Sequence, residues 1–312
     1  MKKIFIVFAA LATIAACNKA EIIETVEGEQ IAFSNAFVEN TTKAATDPSL
    51  GTTANPFTSF NVWGNVGGVA IYAGEAVTGT VGSTIVDGKE TNLWTCATVK
   101  QYWIKDAQYK FSALANAGTV TLGEDKLPAK TTFDATTAAV DLLYAEPVEQ
   151  TGLASGNAPV EFTFNHLLSK VKFTVKNNSQ AATDYSFDVK NITITCPKTG
   201  TIKLADKTWE DLGTAAAYTV LPVTVNNDTA SEECASELLL IPGEVSINYA
   251  VDIKCGTTTL ATHTPATAYT TELVGGNSYN FVVNVAVGEE ITFSVDQNPS
   301  WTPAAGGDIT LQ

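Results

Sequence analysis

Alternation of apolar and polar side chains runs through much of the chain. Val160-Glu161-Phe162-Thr163-Phe164 and Val171-Lys172-Phe173-Thr174-Val175-Lys176 each place apolar groups on one face and polar groups on the other. That period of two marks a half-buried β-strand. Asn191 to Thr195, Thr201 to Leu204, Ser246 to Ile253 and Asn280 to Val287 repeat it. Turn-forming clusters lie between them at Lys198-Thr199-Gly200, Asn226-Asn227-Asp228 and Gly275-Gly276-Asn277. Helical character is confined to a turn or two near Thr136 to Leu143. Short strands rich in Thr and Val, punctuated by regular turns, predict an all-β chain built of β-sandwiches. The small-residue stretch Gln150 to Asn157 carries no strong pattern and divides the chain into two pieces, each long enough for one sandwich.

One near-repeat joins the two ends. Gly28-Glu29-Gln30-Ile31-Ala32-Phe33-Ser34 and Gly288-Glu289-Glu290-Ile291-Thr292-Phe293-Ser294 are identical at five of seven positions. Ile31 and Phe33, with Phe37 beyond them, fall on one face of an extended segment, and Ile291, Phe293 and Val295 present an equivalent face. The C-terminal segment could therefore occupy the same groove as the N-terminal one. Coincidence between strand sequences of low complexity is the competing explanation.

The first residues read as a targeting segment. Lys2 and Lys3 precede an apolar run from Ile4 to Ala15 that is too short to span a bilayer, so residues 1–17 are expected to be a signal peptide. The run ends in Ile14-Ala15-Ala16-Cys17, which resembles the lipobox of bacterial lipoproteins, with Cys17 as the lipidated residue.

Hydrophobic residues make up 45% of the chain and charged residues 16%, a balance that buries large cores and excludes disorder. The net charge is −15, and all 18 basic residues are lysine. An acidic surface without arginine excludes nucleic acid and anionic membrane surfaces as partners. Four cysteines follow Cys17: Cys96, Cys196, Cys234 and Cys255. They allow three disulfide pairings or stand as buried thiols. None forms a CxxC pair and the chain has two histidines, so no zinc site is expected. His166 reads as a structural histidine beside the domain junction or, alternatively, as a catalytic one. No G-x-S-x-G elbow or G-x-G-x-x-G loop is present, and Gly82 to Gly88-Lys89 has the wrong spacing for a phosphate loop, with Glu90 where Ser or Thr is needed. No catalytic residue, metal or cofactor is therefore assigned.

Several stretches in order resemble the fimbrillins and minor-fimbrillin-like proteins of Bacteroidetes type V pili. They are the Cys17 lipobox, Thr41-Thr42-Lys43-Ala44, Phe60-Asn61-Val62-Trp63-Gly64, Tyr102-Trp103 with Tyr109-Lys110-Phe111, and Asp141-Leu142-Leu143-Tyr144-Ala145. Phe164 to Val171 and the closing Trp301 through Ile309 complete the set. The resemblance implies two transthyretin-like β-sandwich domains in tandem, over 44–152 and 153–312, preceded by a propeptide strand over 18–43. It implies a lipid-anchored precursor in the outer membrane, cut by a protease at Lys43–Ala44. The released subunit would polymerise head-to-tail by donor-strand exchange, with itself and with other pilus subunits, into an extracellular fimbrium that adheres to a host or bacterial surface ligand. Ile31, Phe33 and Phe37 would lie on the displaced strand, and Ile291, Phe293 and Val295 on the donor strand. Burying three such side chains is worth about 5–8 kcal/mol before ordering costs. Because the chain has no arginine, its protease must accept lysine. Two other roles are carried forward: a non-polymerising anchor or tip adhesin of the same pilus, and an outer-membrane glycan-binding lipoprotein that stacks sugars on Trp63, Trp94, Trp103, Trp209 or Trp301.

Overall fold

The computed structural model describes residues 29–33, 37–38, 59–78, 85–86, 89–90, 94–136, 140–179, 185–226, 231–234, 237–286 and 291–298. Among these residues every helix or strand is a β-strand. Leu143–Thr151 begins as a strand where a helical turn was expected, and Asp141, Leu142 and Leu143 are all buried.

Seven strands make the first sheet, in the order Phe37–Val38, Thr163–His166, Leu143–Thr151, Gln108–Ala115, Ser59–Val66, Val69–Thr78 and Thr95–Cys96. Its central strands are covered on both sides. Phe111, Ala113 and Ala115 face a core with Phe60, Val62, Tyr72, Phe162 and Phe164. Leu114 joins Trp63 and Tyr144 in a second cluster. Double burial is why Phe111-Ser112-Ala113-Leu114-Ala115 reads as a run and not as an alternation. Gly64 is fixed by the same crowding, since a Cβ there would lie 2.6 Å from the Phe111 ring.

A second core lies between a five-stranded and a six-stranded sheet. The five-stranded sheet runs Ser231–Glu233, Ser169–Asn177, Ser278–Val285, Thr292–Asn298, with Leu238–Leu240 also paired to Ser169–Asn177. The six-stranded sheet centres on Tyr185–Pro197 and Gly243–Cys255. Val171, Phe173 and Val175 meet Phe187, Val189, Ile247, Phe281 and Val283 between them. The alternating segments at Val171 to Lys176, Asn191 to Thr195, Ser246 to Ile253 and from Asn280 onward are strands of these two sheets.

A four-stranded sheet joins the halves. It runs Thr208–Glu210, Thr199–Lys203, Pro128–Asp134, Val120–Leu122, so strands from both sides of the expected domain boundary share one ladder. Lys198 alone separates Tyr185–Pro197 from Thr199–Lys203, and the turn expected at 198–200 is a transfer between two sheets. Ile202 and Leu204 pack with Phe133, Leu142, Leu167 and Leu168 beneath this sheet. Thr163–His166 belongs to the first sheet, and Val160, Phe162 and Phe164 to its core, so the chain leaves that sheet at Leu167. Burial of the Val160–Phe164 face decides this, because those apolar groups complete the first core.

Ile202→Ala is expected to cost about 2–5 kcal/mol, as for other buried large-to-small changes. Urea unfolding followed by tryptophan fluorescence and by far-UV circular dichroism should show one coincident transition moved to lower urea. Two separated transitions would contradict a shared sheet that couples the halves.

Candidate functional site

Residues 29–33 lie in the wall of the first sandwich as an extended segment, bridged to a neighbour on each flank. On one flank, Ile31 N–H donates to Gln101 O (2.8 Å), Trp103 N–H donates to Glu29 O (3.1 Å), and Phe33 and Trp94 exchange two bonds of 3.0 Å. On the other flank, Val160 N–H donates to Ala32 O (2.9 Å). Downstream, Phe37–Val38 runs parallel to Thr163–Phe164. Trp94 directly precedes the last strand of the seven-stranded sheet, and Thr163–His166 adjoins its first. The N-terminal segment thus bridges the two ends of that sheet and closes it. Closure removes the unpaired edges that an open sheet would present.

The inward face carries the predicted side chains. Ile31 and Phe33 are both 0% exposed. Phe33 sits in an aromatic box, stacked on Phe162 at 5.8 Å and edge-on to Phe60 (6.1 Å), Tyr72 (5.8 Å) and Phe111 (6.2 Å). The flank at 94–103 is held independently of the strand: the Tyr109 hydroxyl accepts from Ile104 N–H (2.7 Å) and donates to Tyr102 O (3.1 Å). Sequence reasoning missed one polar contact here. Glu29 accepts from Asn157, at 2.9 Å from its backbone N–H and 2.6 Å from its side-chain amide. The available signal was that Glu29 recurs as Glu289 in the near-repeat.

Ile291, Phe293 and Val295 lie together on one face, and that face covers the second core. Ile291 and Val295 are buried, and Phe293 stacks on Tyr249 and Phe281 (both 5.6 Å) and touches Tyr269 (4.8 Å). Thr292–Asn298 is an edge strand, paired antiparallel to Ser278–Val285 on one side. In this structure the strand is folded on its own half. Cys17, Lys43 and Ala44 lie outside the described residues, as do Trp301 and the rest of the C-terminal motif.

The other candidates are placed as follows. His166 contacts the Asp141 carboxylate through Nδ1 with both side chains buried, and the Asn116 amide donates to Asp141 O at 2.7 Å. The pair lies where the chain leaves the first sheet. Trp63, Trp94 and Trp103 are buried and Trp209 is half-buried against Phe133, so these rings belong to cores and not to a sugar-stacking surface. Among the described residues no group of three His, Cys, Asp or Glu side chains could hold a metal ion. Cys96, Cys196, Cys234 and Cys255 are free thiols. Burial pushes the Cys196 and Cys234 thiols up to about 11.

The fimbrillin-like family model matches residues 42–299. Among solved structures, a fimbrial protein from Bacteroides vulgatus matches 88% of this chain and 100% of its own, with a TM-score of 0.57 at 17% identity. A candidate cell adhesion protein from Bacteroides ovatus matches 88% of this chain and 99% of its own, with a TM-score of 0.50 at 13% identity. At such identities the likeness speaks to the fold. No curated protein sequence matches the chain.

Phe33→Ala should destabilise the first sandwich by about 3–5 kcal/mol, read as a lowered melting temperature; an unchanged melt would mean that the strand is not part of the folded core. In native protein at pH 8, a thiol reagent should modify the half-buried Cys255 first and reach Cys196 and Cys234 only on unfolding, because the thiolate is the reactive form.

Proposed function

The chain belongs to the fimbrillin-like family, and from that premise we propose that it is an exported, structural, non-enzymatic subunit of a surface pilus, locked until its N-terminal strand is cut away. The observation that carries this reading is the segment at 29–33, hydrogen-bonded on both flanks with Ile31 and Phe33 fully buried in the first core.

The mechanism combines that geometry with the motifs at Cys17 and Lys43–Ala44. A lipid on Cys17 holds the precursor to the outer membrane. Cleavage at Lys43–Ala44 severs the closing strand from the body, so both the strand and the anchor can leave. The vacated slot exposes the Phe60, Tyr72, Phe111 and Phe162 faces and two lines of backbone groups, at 94–103 and at 160–164. Buried polar backbone and apolar surface left open are both costly, and an added strand satisfies both together. Ile291, Phe293 and Val295 of another copy offer the matching face. Their strand sits at a sheet edge and detaches by breaking one ladder. A groove on one half and a donor on the other make a head-to-tail contact that does not close, and so a filament. The filament is extracellular, and other pilus subunits and a surface ligand are its partners.

A second reading has its own support. The terminal strand packs on its own core through Ile291, Phe293 and Val295, which suits a tip or anchor subunit that accepts a strand and donates none. Limited digestion of the full-length protein with a lysine-specific protease separates the two. A shaft subunit gives a new N-terminus at Ala44 and SDS-resistant ladders that vanish when Ile291 to Gln312 is deleted. A tip subunit stays monomeric after the same cut, and an anchor subunit resists the cut and keeps its lipid. Cleavage that leaves residues 29–33 bound and the groove closed would defeat both.

A further inference from the structure

We propose that Asn157 sets the register and direction of the strand that refills the first groove, by binding Glu289 of a second copy in the place Glu29 now holds. The proposal rests on the strand-exchange reading and adds which way round, and how far in, the incoming strand goes.

Asn157 is built as a carboxylate seat. Its backbone N–H lies 2.9 Å from Glu29 Oε1 and its Nδ2 lies 2.6 Å from Oε2, so one carboxylate takes two donors. The side chain is braced beforehand. Asn157 Oδ1 accepts from Leu153 N–H (2.7 Å), and Nδ2 also donates to Leu153 O (3.2 Å). The loop behind it is pinned by Gly152, whose carbonyl accepts from Asp106 N–H (2.8 Å) and whose N–H donates to Ala107 O (2.9 Å). A Cβ at Gly152 would stand 2.1 Å from Ile104 O, so the close approach that fixes the loop needs glycine. Preorganised donors of this kind bind a charged acceptor more strongly than neutral pairs do, and leave a penalty when the acceptor departs.

When the closing strand leaves, Asn157 loses Glu29. The near-repeat supplies a replacement. Placing Ile291 where Ile31 lies and Phe293 where Phe33 lies puts Glu289 at the position of Glu29. The alternatives fail at Asn157. A slip of one residue turns Ile291 and Phe293 outward, and a slip of two moves the carboxylate by about 6.6 Å, beyond hydrogen-bond reach. A reversed strand that still fills both pockets sets Val295 against Asn157, where no acceptor is available. The one arrangement that fills the aromatic box and satisfies Asn157 runs antiparallel to 94–103 and parallel to 160–164, as the N-terminal strand does. In that arrangement the donor's body attaches at the pole formed by 102–104 and 153–157.

Ladder formation after lysine-specific cleavage of the full-length chain tests this. Glu289→Ala keeps the precursor's own Glu29–Asn157 contact, so its melting temperature should match wild type while its ladders grow about tenfold more slowly. In a Cys255→Ser background, Asn157→Cys combined with Glu289→Cys should give dimers and higher oligomers that survive boiling in SDS and disappear on reduction. Asn157→Cys combined with Val295→Cys should not. Wild-type growth rates for Glu289→Ala, or cross-linking through position 295 in place of 289, would overturn the register and direction while leaving strand exchange standing. A wild-type protein that is cut and forms no ladder would overturn strand exchange and this proposal together.

Discussion

The amides of Trp94, Trp103 and Val160 all donate to carbonyls of residues 29–33, and these bonds close the first sheet on itself. Closure sets the terms for everything else in that half. Without the strand, the sheet has two edges facing a gap whose floor is made of aromatic rings. Each main-chain bond is worth about 0.5–1.5 kcal/mol net, and burying Ile31 and Phe33 adds about 1.5–3 kcal/mol apiece. Any strand that fills the gap must bring extended backbone and two large apolar side chains two residues apart. The requirement is general enough for more than one segment of the chain to meet it, which is why the Ile-x-Phe pattern at both ends has physical meaning.

A slot is useful only if its walls keep their shape. Tyr109 ties the 94–103 flank in place through its hydroxyl, and the 160–166 flank is anchored to Leu143–Thr151 by its own ladder. Behind the first sheet, Trp63, Leu114 and Tyr144 pack on the four-stranded sheet through Leu127, Phe133 and Ile202. Strands from both halves build that sheet, and the buried Asp141–His166 contact sits at the crossing. The double covering that makes Gln108–Ala115 so apolar also supports the groove from behind. The frame of the groove is therefore held by contacts that do not involve residues 29–33.

Much of this was legible in the sequence, and the limits are physical. Alternation located the strands at Val171–Lys176 and Ser246–Ile253, because each has one buried face. The inward face of Ile31 and Phe33 was readable for the same reason. What alternation cannot encode is the identity of a neighbour. Nothing in Val160-Glu161-Phe162 says that it joins the core of the first sheet, although it follows a small-residue stretch that carries no pattern. The transfer between sheets at Lys198 looked like a turn, since both need a break in the ladder. The carboxylate seat at Asn157 lay in a segment without pattern, because its order comes from hydrogen bonds between side chain and backbone and not from burial.

Amide hydrogen exchange at Trp94, Trp103 and Val160 tests the closing strand most directly. Each of these three amides donates to one of its carbonyls. A removable and replaceable strand predicts that they are protected in the precursor, exchange orders of magnitude faster once the protein is cut and the fragment is removed, and regain protection when a synthetic peptide spanning residues 288–298 is added. Protection that survives removal of the fragment, or that the peptide does not restore, would contradict it.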